Sequence, residues 1–359
     1  MALKEGKYRI LKELGAGGMG MVRKGLLIGQ AGFQRPIVIK QLKHAEPEHL
    51  RLFVEEARRY ALLDHENIGR IFDFERVRGE LCIILEFIDG WTVVEYLERH
   101  RELGYLPDVE LSVFITSRVC RALQYVFERA RIAHRDISPS NIMMTTEGTV
   151  KLIDFGIAAR SGVKESYLAG KPAYMAPEMV VERRADHRSD IFALGTVLYE
   201  MLTGERLFPG DSASEVLERV VVGDIPPSSD TNPDVPETVE NILSHALKRQ
   251  PTQRFDSAAA MGEACEHFLY DKGYGPTNLT LKHYLASLFG TGHEGAVGPG
   301  GPRHEPTLIP VADEMRTVKY EGDDQTRLAA PLTRVASPVV TPRPEKGRKK
   351  TKKKRRPRS

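Results

Sequence analysis

With 359 residues and 41% apolar content, the chain has room for one large two-lobed domain, yet part of it lacks the means to bury a core. Its net charge of +3 conceals a division, because residues 343–358 carry eleven Lys or Arg against Glu345 alone and the remainder is therefore net acidic. No run approaches the ~18 apolar residues needed to span a bilayer, the Met-Ala-Leu-Lys-Glu-Gly start lacks a signal peptide's apolar core, and Cys82, Cys120 and Cys265 lie too far apart to suggest a metal pair. A reducing, cytoplasmic setting is the expectation.

Tyr8–Leu14 alternates as a strand, glycines at 15, 17 and 20 form a turn, and Met21–Ile28 returns as a second strand. Residues 29–36 read as a loop and Ile37–Leu42 as a third strand. Residues 47–63 repeat apolar positions at helical spacing, with Pro47 near the start. Two further strands are expected near 69–75 and 81–87. From Trp91 the pattern turns helical, over 91–102, 108–130, 189–204, 212–222, 236–248 and 257–271. Lys272-Gly-Tyr-Gly-Pro276 marks a boundary, after which 277–289 reads as one short capped helix appended to the larger lobe. An α+β arrangement follows, a small antiparallel sheet with one main helix preceding a mainly helical part. The segment 291–359 holds nine of the 22 prolines and a single aromatic, Tyr320, so it cannot offset its own chain entropy and is predicted to be disordered.

Five short motifs punctuate these elements: Gly15-Ala-Gly17-Gly-Met-Gly20-Met-Val22, Ile37-Val-Ile-Lys40, His134-Arg-Asp136 with Asn141, Asp154-Phe-Gly156 and Ala176-Pro-Glu178. A Gly-x-Gly-x-x-Gly turn alone also suits dinucleotide-binding folds, but there it leads into a helix. Here it leads into the strand-like Met21–Ile28. Its glycines let backbone amides close over phosphates without side-chain obstruction.

In this order and at these separations the motifs resemble the eukaryotic-type (Hanks-type) serine/threonine protein kinases of bacteria, over residues 7–271. Asp-Ile-Ser-Pro-Ser-Asn141 together with Gly170-Lys-Pro-Ala-Tyr-Met175 is most similar to the myxobacterial variant. The resemblance implies a bilobal protein kinase fold, N-lobe 7–88 and C-lobe 89–271, using ATP and Mg²⁺ to phosphorylate Ser or Thr of protein substrates. Leu14, Gly15, Ala16, Gly17, Gly18, Gly20, Val22, Val38, Leu85, Glu86, Ile88 and Met143 would then surround ATP, with Leu85 as gatekeeper and residues 86–88 as hinge. Val38 stands where the family usually has alanine. Lys40 would contact the α- and β-phosphates, held by Glu56 or its neighbour Glu55. Asp136 would be the catalytic base, and Asn141 and Asp154 the oxygen ligands of Mg²⁺. His134 and Phe155 would pack with Tyr60 and Ile71, Asp190 would anchor the catalytic-loop backbone, and Glu178 with Arg254 would form a buried ion pair.

Two positions depart from the pattern. The family's catalytic-loop lysine, two residues after the aspartate, is Ser138, and the threonine expected after Gly170 is Lys171. Cation and hydroxyl have traded places. An ammonium about 4 Å from a transferring phosphate, at an effective dielectric of ~20, contributes roughly 4 kcal/mol, or on the order of 10³ in rate. Either Lys171 reaches back to the same spot, or it is a solvated loop lysine and the chain is a nucleotide-binding pseudokinase acting as a scaffold. Tyrosine kinases usually carry arginine just before the catalytic-loop asparagine, where this chain has Ser140.

Arg135 beside the catalytic aspartate resembles kinases controlled by a phosphorylated loop, for which Ser161, Ser166 and Tyr167 are candidates, and the short loop 157–169 equally allows an active form without phosphorylation. Thr307, Thr317, Thr326 and Thr333 are further candidate autophosphorylation sites. The polybasic 343–358, without interleaved aromatics, suits loose contact with anionic lipid, nucleic acid or acidic proteins and equally a solvated tail.

Overall fold

The computed structural model describes residues 7–17, 20–41, 58, 60–154, 167–168, 171–290 and 309–310, with backbone alone at 16, 17, 20, 167, 168, 309 and 310. Glu55, Glu56, Gly18, Phe155, Ser161, Ser166, the four candidate threonines and the polybasic segment lie outside the described residues.

β1 (Tyr8–Gly17), β2 (Gly20–Ile28), β3 (Gln34–Gln41), β4 (Ile71–Val77) and β5 (Glu80–Glu86) form one antiparallel sheet in the order β1-β2-β3-β5-β4. β3 starts three residues before the expected Ile37, because Gln34–Pro36 continue the ladder with Leu26–Ile28. Pro36 is tolerated there because β5 pairs only from Ile37 onward. Alternation divides β3 between two faces. Ile37 and Ile39 are fully buried and cluster with Cys82 and Ile84, while Val38 and Lys40 point to the other side. The register sets Val22 opposite Lys40 and Val38 opposite Leu85, gathering these four side chains in one part of the sheet.

The larger lobe is built around α2 (Val109–Ala130) and α4 (His187–Thr203). α4 is buried nearly throughout, polar Asp190 and Glu200 included, as befits a helix surrounded by other elements. α1 (Val93–Leu103) starts at a Thr92/Glu95 capping box and stops at Gly104 in the left-handed region. α5 (Ala213–Val222), α6 (Glu237–Ala246) and α7 (Ala258–Tyr270) complete the bundle. All six lie within a few residues of their expected bounds.

Elements too short to show a period were not expected. They are β6 (Gly90–Thr92), β7 (Ile142–Thr145) and β8 (Val150–Leu152), which form a three-stranded sheet, and α3 (Pro177–Val181). Within the tail, Ile309–Pro310 form β10, antiparallel to β9 (Tyr167–Leu168).

α8 (Asn278–Phe289) is the expected appended helix, and it is firmly seated. Leu281, Leu285 and Leu288 are buried, each contributing about 1.5–3 kcal/mol. Its first turn lies against the β7–β8 turn at Gly148, where φ is +78° and a Cβ would stand 1.8 Å from the Asn278 carbonyl oxygen. Only glycine fits there. Among the described residues no helix is long and apolar enough to cross a membrane.

Candidate active site

The loop between α2 and β7 carries most of the site, and α4 holds it in shape. Asp190, buried in α4, accepts hydrogen bonds from the backbone N–H of His134 and of Arg135, both at 2.7 Å. Burial pushes the Asp190 carboxyl up to about 7, against the pull of these two amides. The clamp sustains Arg135 at φ +67°, a left-handed conformation that costs a non-glycine residue about 1–3 kcal/mol. His134 is fully enclosed, and burial lowers its pKa to about 3, so its ring is neutral. Its Nδ1 accepts from the Asp136 amide at 3.3 Å, which leaves Nε2–H to donate to the Ile153 carbonyl at 3.2 Å.

Five residues beyond Asp136, the Asn141 side chain turns back on it. Asn141 Nδ2 donates to the Asp136 carbonyl at 2.7 Å and to its carboxylate at 2.8 Å. With the amide nitrogen so engaged, Oδ1 is presented as a hard acceptor. The Ile153 N–H donates to the Asn141 carbonyl at 2.8 Å, tying in the strand end that carries Asp154. Asp154 itself stands at φ +53°, and its carboxylate meets Lys40 Nζ at 3.2 Å, both side chains about one-tenth exposed. Thus Lys40 from the sheet meets Asp154, and the strand end carrying Asp154 is tied to the Asp136–Asn141 pair. Carboxylate and amide oxygens beside a lysine fit a magnesium-bound polyphosphate: Asn141 and Asp154 supply oxygen donors of the kind Mg²⁺ takes, and Lys40 a counter-charge.

The two exchanged positions meet. Lys171 precedes a short 3₁₀ turn, Pro172–Tyr174, and its Nζ donates to Ser138 Oγ at 2.8 Å and also to Ser140 Oγ. Ser138 is fully buried and lies 3.3 Å from the Ser140 hydroxyl, which in turn reaches Asn141 Oδ1 at 3.4 Å. Burial lowers the Lys171 pKa below the ordinary 10.5, while the charge of Asp136 pulls it back. The solvated-loop alternative for Lys171 does not describe this geometry. Ser140 is a partner that the motif reading missed; the spacing Ser-Pro-Ser, with two hydroxyls in one turn, was its only signal.

Val22 and Val38 are buried beside Lys40 in the sheet, and Ile88, Met143 and Ile153 pack together as a separate small cluster. Leu85 faces Val38 across the ladder. Glu86 donates its N–H to the Arg70 carbonyl at 2.9 Å, and its carboxylate accepts from Lys151 at 3.2 Å. Beside Lys171, a cavity of about 400 Å³ is lined by Val94, Leu97, Arg101, Ser140, Lys171 and Glu200, among others. Tyr174 donates its hydroxyl to Glu200 at 2.6 Å at this cavity, and burial raises the Glu200 pKa against that bond. The expected buried pair is also present, with Arg254 Nη2 2.7 Å from Glu178 Oε2.

Comparison with known proteins agrees with this arrangement. The protein kinase domain family matches residues 8–268. The chain is 35% identical over 302 residues to the tyrosine-protein kinase MasK of Myxococcus xanthus, covering 79% of this chain and 46% of that protein. It is 34% identical to the serine/threonine-protein kinase PrkC of Bacillus subtilis, over 71% of this chain and 39% of that protein. The serine/threonine-protein kinase Pkn1 of Myxococcus xanthus is likewise 34% identical, over 73% and 38%. The chain therefore spans less than half the length of these relatives. Among solved structures, the Mycobacterium tuberculosis PknI kinase domain superposes with a TM-score of 0.57 at 26% identity, covering 74% of this chain and 99% of that domain. With its sheet, its helical lobe and its clustered motif residues accounted for, the chain belongs to the protein kinase domain family.

Proposed function

We propose that this chain transfers the γ-phosphoryl group of ATP to Ser or Thr hydroxyls of protein acceptors, with Lys171 in the role the family gives to a catalytic-loop lysine. The observation that carries this reading is the Lys171 ammonium held on Ser138, whose position that lysine would occupy. Val22, Val38, Leu85 and Met143 offer the adenine ring apolar faces, and Lys40 is poised for the α- and β-phosphates. Bound Mg²⁺, held by Asn141 and Asp154, supplies neutralisation of the phosphate charge. Asp136, oriented by Asn141, takes the proton of the acceptor hydroxyl as its oxygen attacks. Lys171 then meets the charge on the transferring group from the side of the acceptor, through hydroxyl neighbours that donate no competing negative charge. The cavity beyond Ser140 and Lys171 is the seat of the acceptor protein.

Two other readings have support. The chain departs from the family at Ser138, which favours a nucleotide-binding scaffold, and its relative MasK is named a tyrosine kinase, which favours a tyrosine acceptor. One experiment separates all three. Radiolabelled γ-phosphate is offered to the full chain and to its Asp136→Asn variant with casein as acceptor, and the product is hydrolysed to phosphoamino acids. Label on Ser and Thr that vanishes in Asp136→Asn supports the proposal. Label on Tyr alone would move the specificity, and no transfer by the wild-type chain would leave the scaffold reading.

A further inference from the structure

α8 lies beyond residue 268, where the family match ends, yet it joins two parts of the site. Its first turn rests on the β7–β8 hairpin: Asn278 closes over Gly148, and Lys282 pairs with Glu147 at 2.5 Å. That hairpin is a fixed point, since β7 also carries Met143, packed with Ile88 and Ile153. The later turns hold β6 and α1. Phe289 stacks on Trp91 with ring centroids 4.5 Å apart and planes 10° from parallel, and the Leu288 carbonyl accepts from Arg99 Nε at 3.1 Å.

Between these contacts sits a buried polar one. His100 is 1% exposed, and its Nδ1–H donates to the Tyr96 carbonyl at 2.7 Å. Its Nε2 is therefore an acceptor, and the Tyr284 hydroxyl of α8 donates to it at 2.7 Å. Tyr96 and His100 share one face of α1. Val94, Leu97 and Arg101, at helical spacing on a different face, line the cavity beside Lys171. A rotation or shift of α1 would therefore move a wall of that cavity, and α8 opposes such movement together with β6, β7 and the Pro139–Asn141 turn.

We propose that α8 is a positioning element of the catalytic unit: it fixes α1 through the Tyr284–His100 bond and thereby sets affinity for the acceptor protein rather than for the nucleotide. The consequence holds only if, as proposed above, the cavity seats the acceptor. Steady-state kinetics of the full chain with casein and ATP test both statements. Tyr284→Phe keeps the ring and removes the donor, leaving His100 Nε2 buried without it. KM for casein should rise about fivefold, with kcat and KM for ATP within twofold of wild type. Leu285→Ala, which loosens the same helix, should act in the same direction. A KM for casein unmoved by both variants, or a fall in kcat and an equal rise in both KM values, would overturn the inference and leave α8 a merely stabilising appendage. Val94→Trp, which fills the cavity, addresses the underlying reading separately. If it leaves KM for casein unchanged, the acceptor does not use the cavity, whatever the α8 variants do.

Discussion

Arg254 and Lys171 are cations withdrawn from solvent in the same lobe, and the structure treats them in opposite ways. The Arg254 side chain is fully buried, and its five N–H groups are matched by Glu178 and by the carbonyls of Arg188, Lys248 and Arg249. Nothing is left over for a ligand. Lys171 Nζ is held by two serine hydroxyls, and among the described residues no carboxylate stands at ion-pair distance. Hydroxyls fix an ammonium in place without cancelling its charge. The Arg254 charge is neutralised on the spot, whereas the Lys171 charge is left short of counter-charge, as the proposed role beside a transferring phosphate requires.

Substitutions can break this contrast. Lys171→Thr should cost on the order of 10³ in kcat with little change in unfolding midpoint, since it removes an under-compensated buried charge; adding Ser138→Lys should recover most of the rate. Full activity in the single variant would show that Lys171 does not act on the phosphate. Glu178→Ala should show the converse. It strands the Arg254 charge and should lower stability by about 3–5 kcal/mol in denaturant titration, while chain that remains folded still transfers phosphate. A loss below about 1 kcal/mol would mean that the two cations differ less than their contacts suggest.

A smaller effect separates them by pH. In its proposed role Lys171 must hold its proton, and burial lowers its pKa, so the alkaline limb of kcat/KM should set in below the 10.5 of an ordinary lysine. Stability should move the other way. Between the lowered folded pKa and 10.5 the unfolded chain binds more protons, so this group's contribution to stability rises with pH across that window. In whatever activity Lys171→Arg retains, the limb should disappear, because a guanidinium stays charged. Smallest of all, Arg219 forms an exposed pair with Glu215 on α5, and Arg219→Ala should leave the unfolding midpoint where it was.

What could be read without coordinates depended on distance along the chain. The β1–β2–β3 meander follows from alternation and glycine positions, and the meeting of Asp136 with Asn141 needs only a five-residue turn. Lys171 and Ser138 lie 33 residues apart, and their contact was legible only because both break a family pattern at once. No such pattern marks Tyr284 and His100, 184 residues apart, nor Tyr174 and Glu200; single hydroxyls carry no periodic signal. β6, β7 and β8, at three or four residues each, owe their existence to pairing rather than to propensity.

The clamp that Asp190 places on two consecutive amides has a consequence for how the protein is made. The backbone of the catalytic loop leaves the ribosome more than fifty residues before the carboxylate that shapes it. Until α4 has emerged and packed, the segment around Asp136 has no reason to hold its left-handed turn at Arg135, and a nascent chain would carry every motif of the loop without being able to use them. The geometry of this loop therefore waits on the packing of α4.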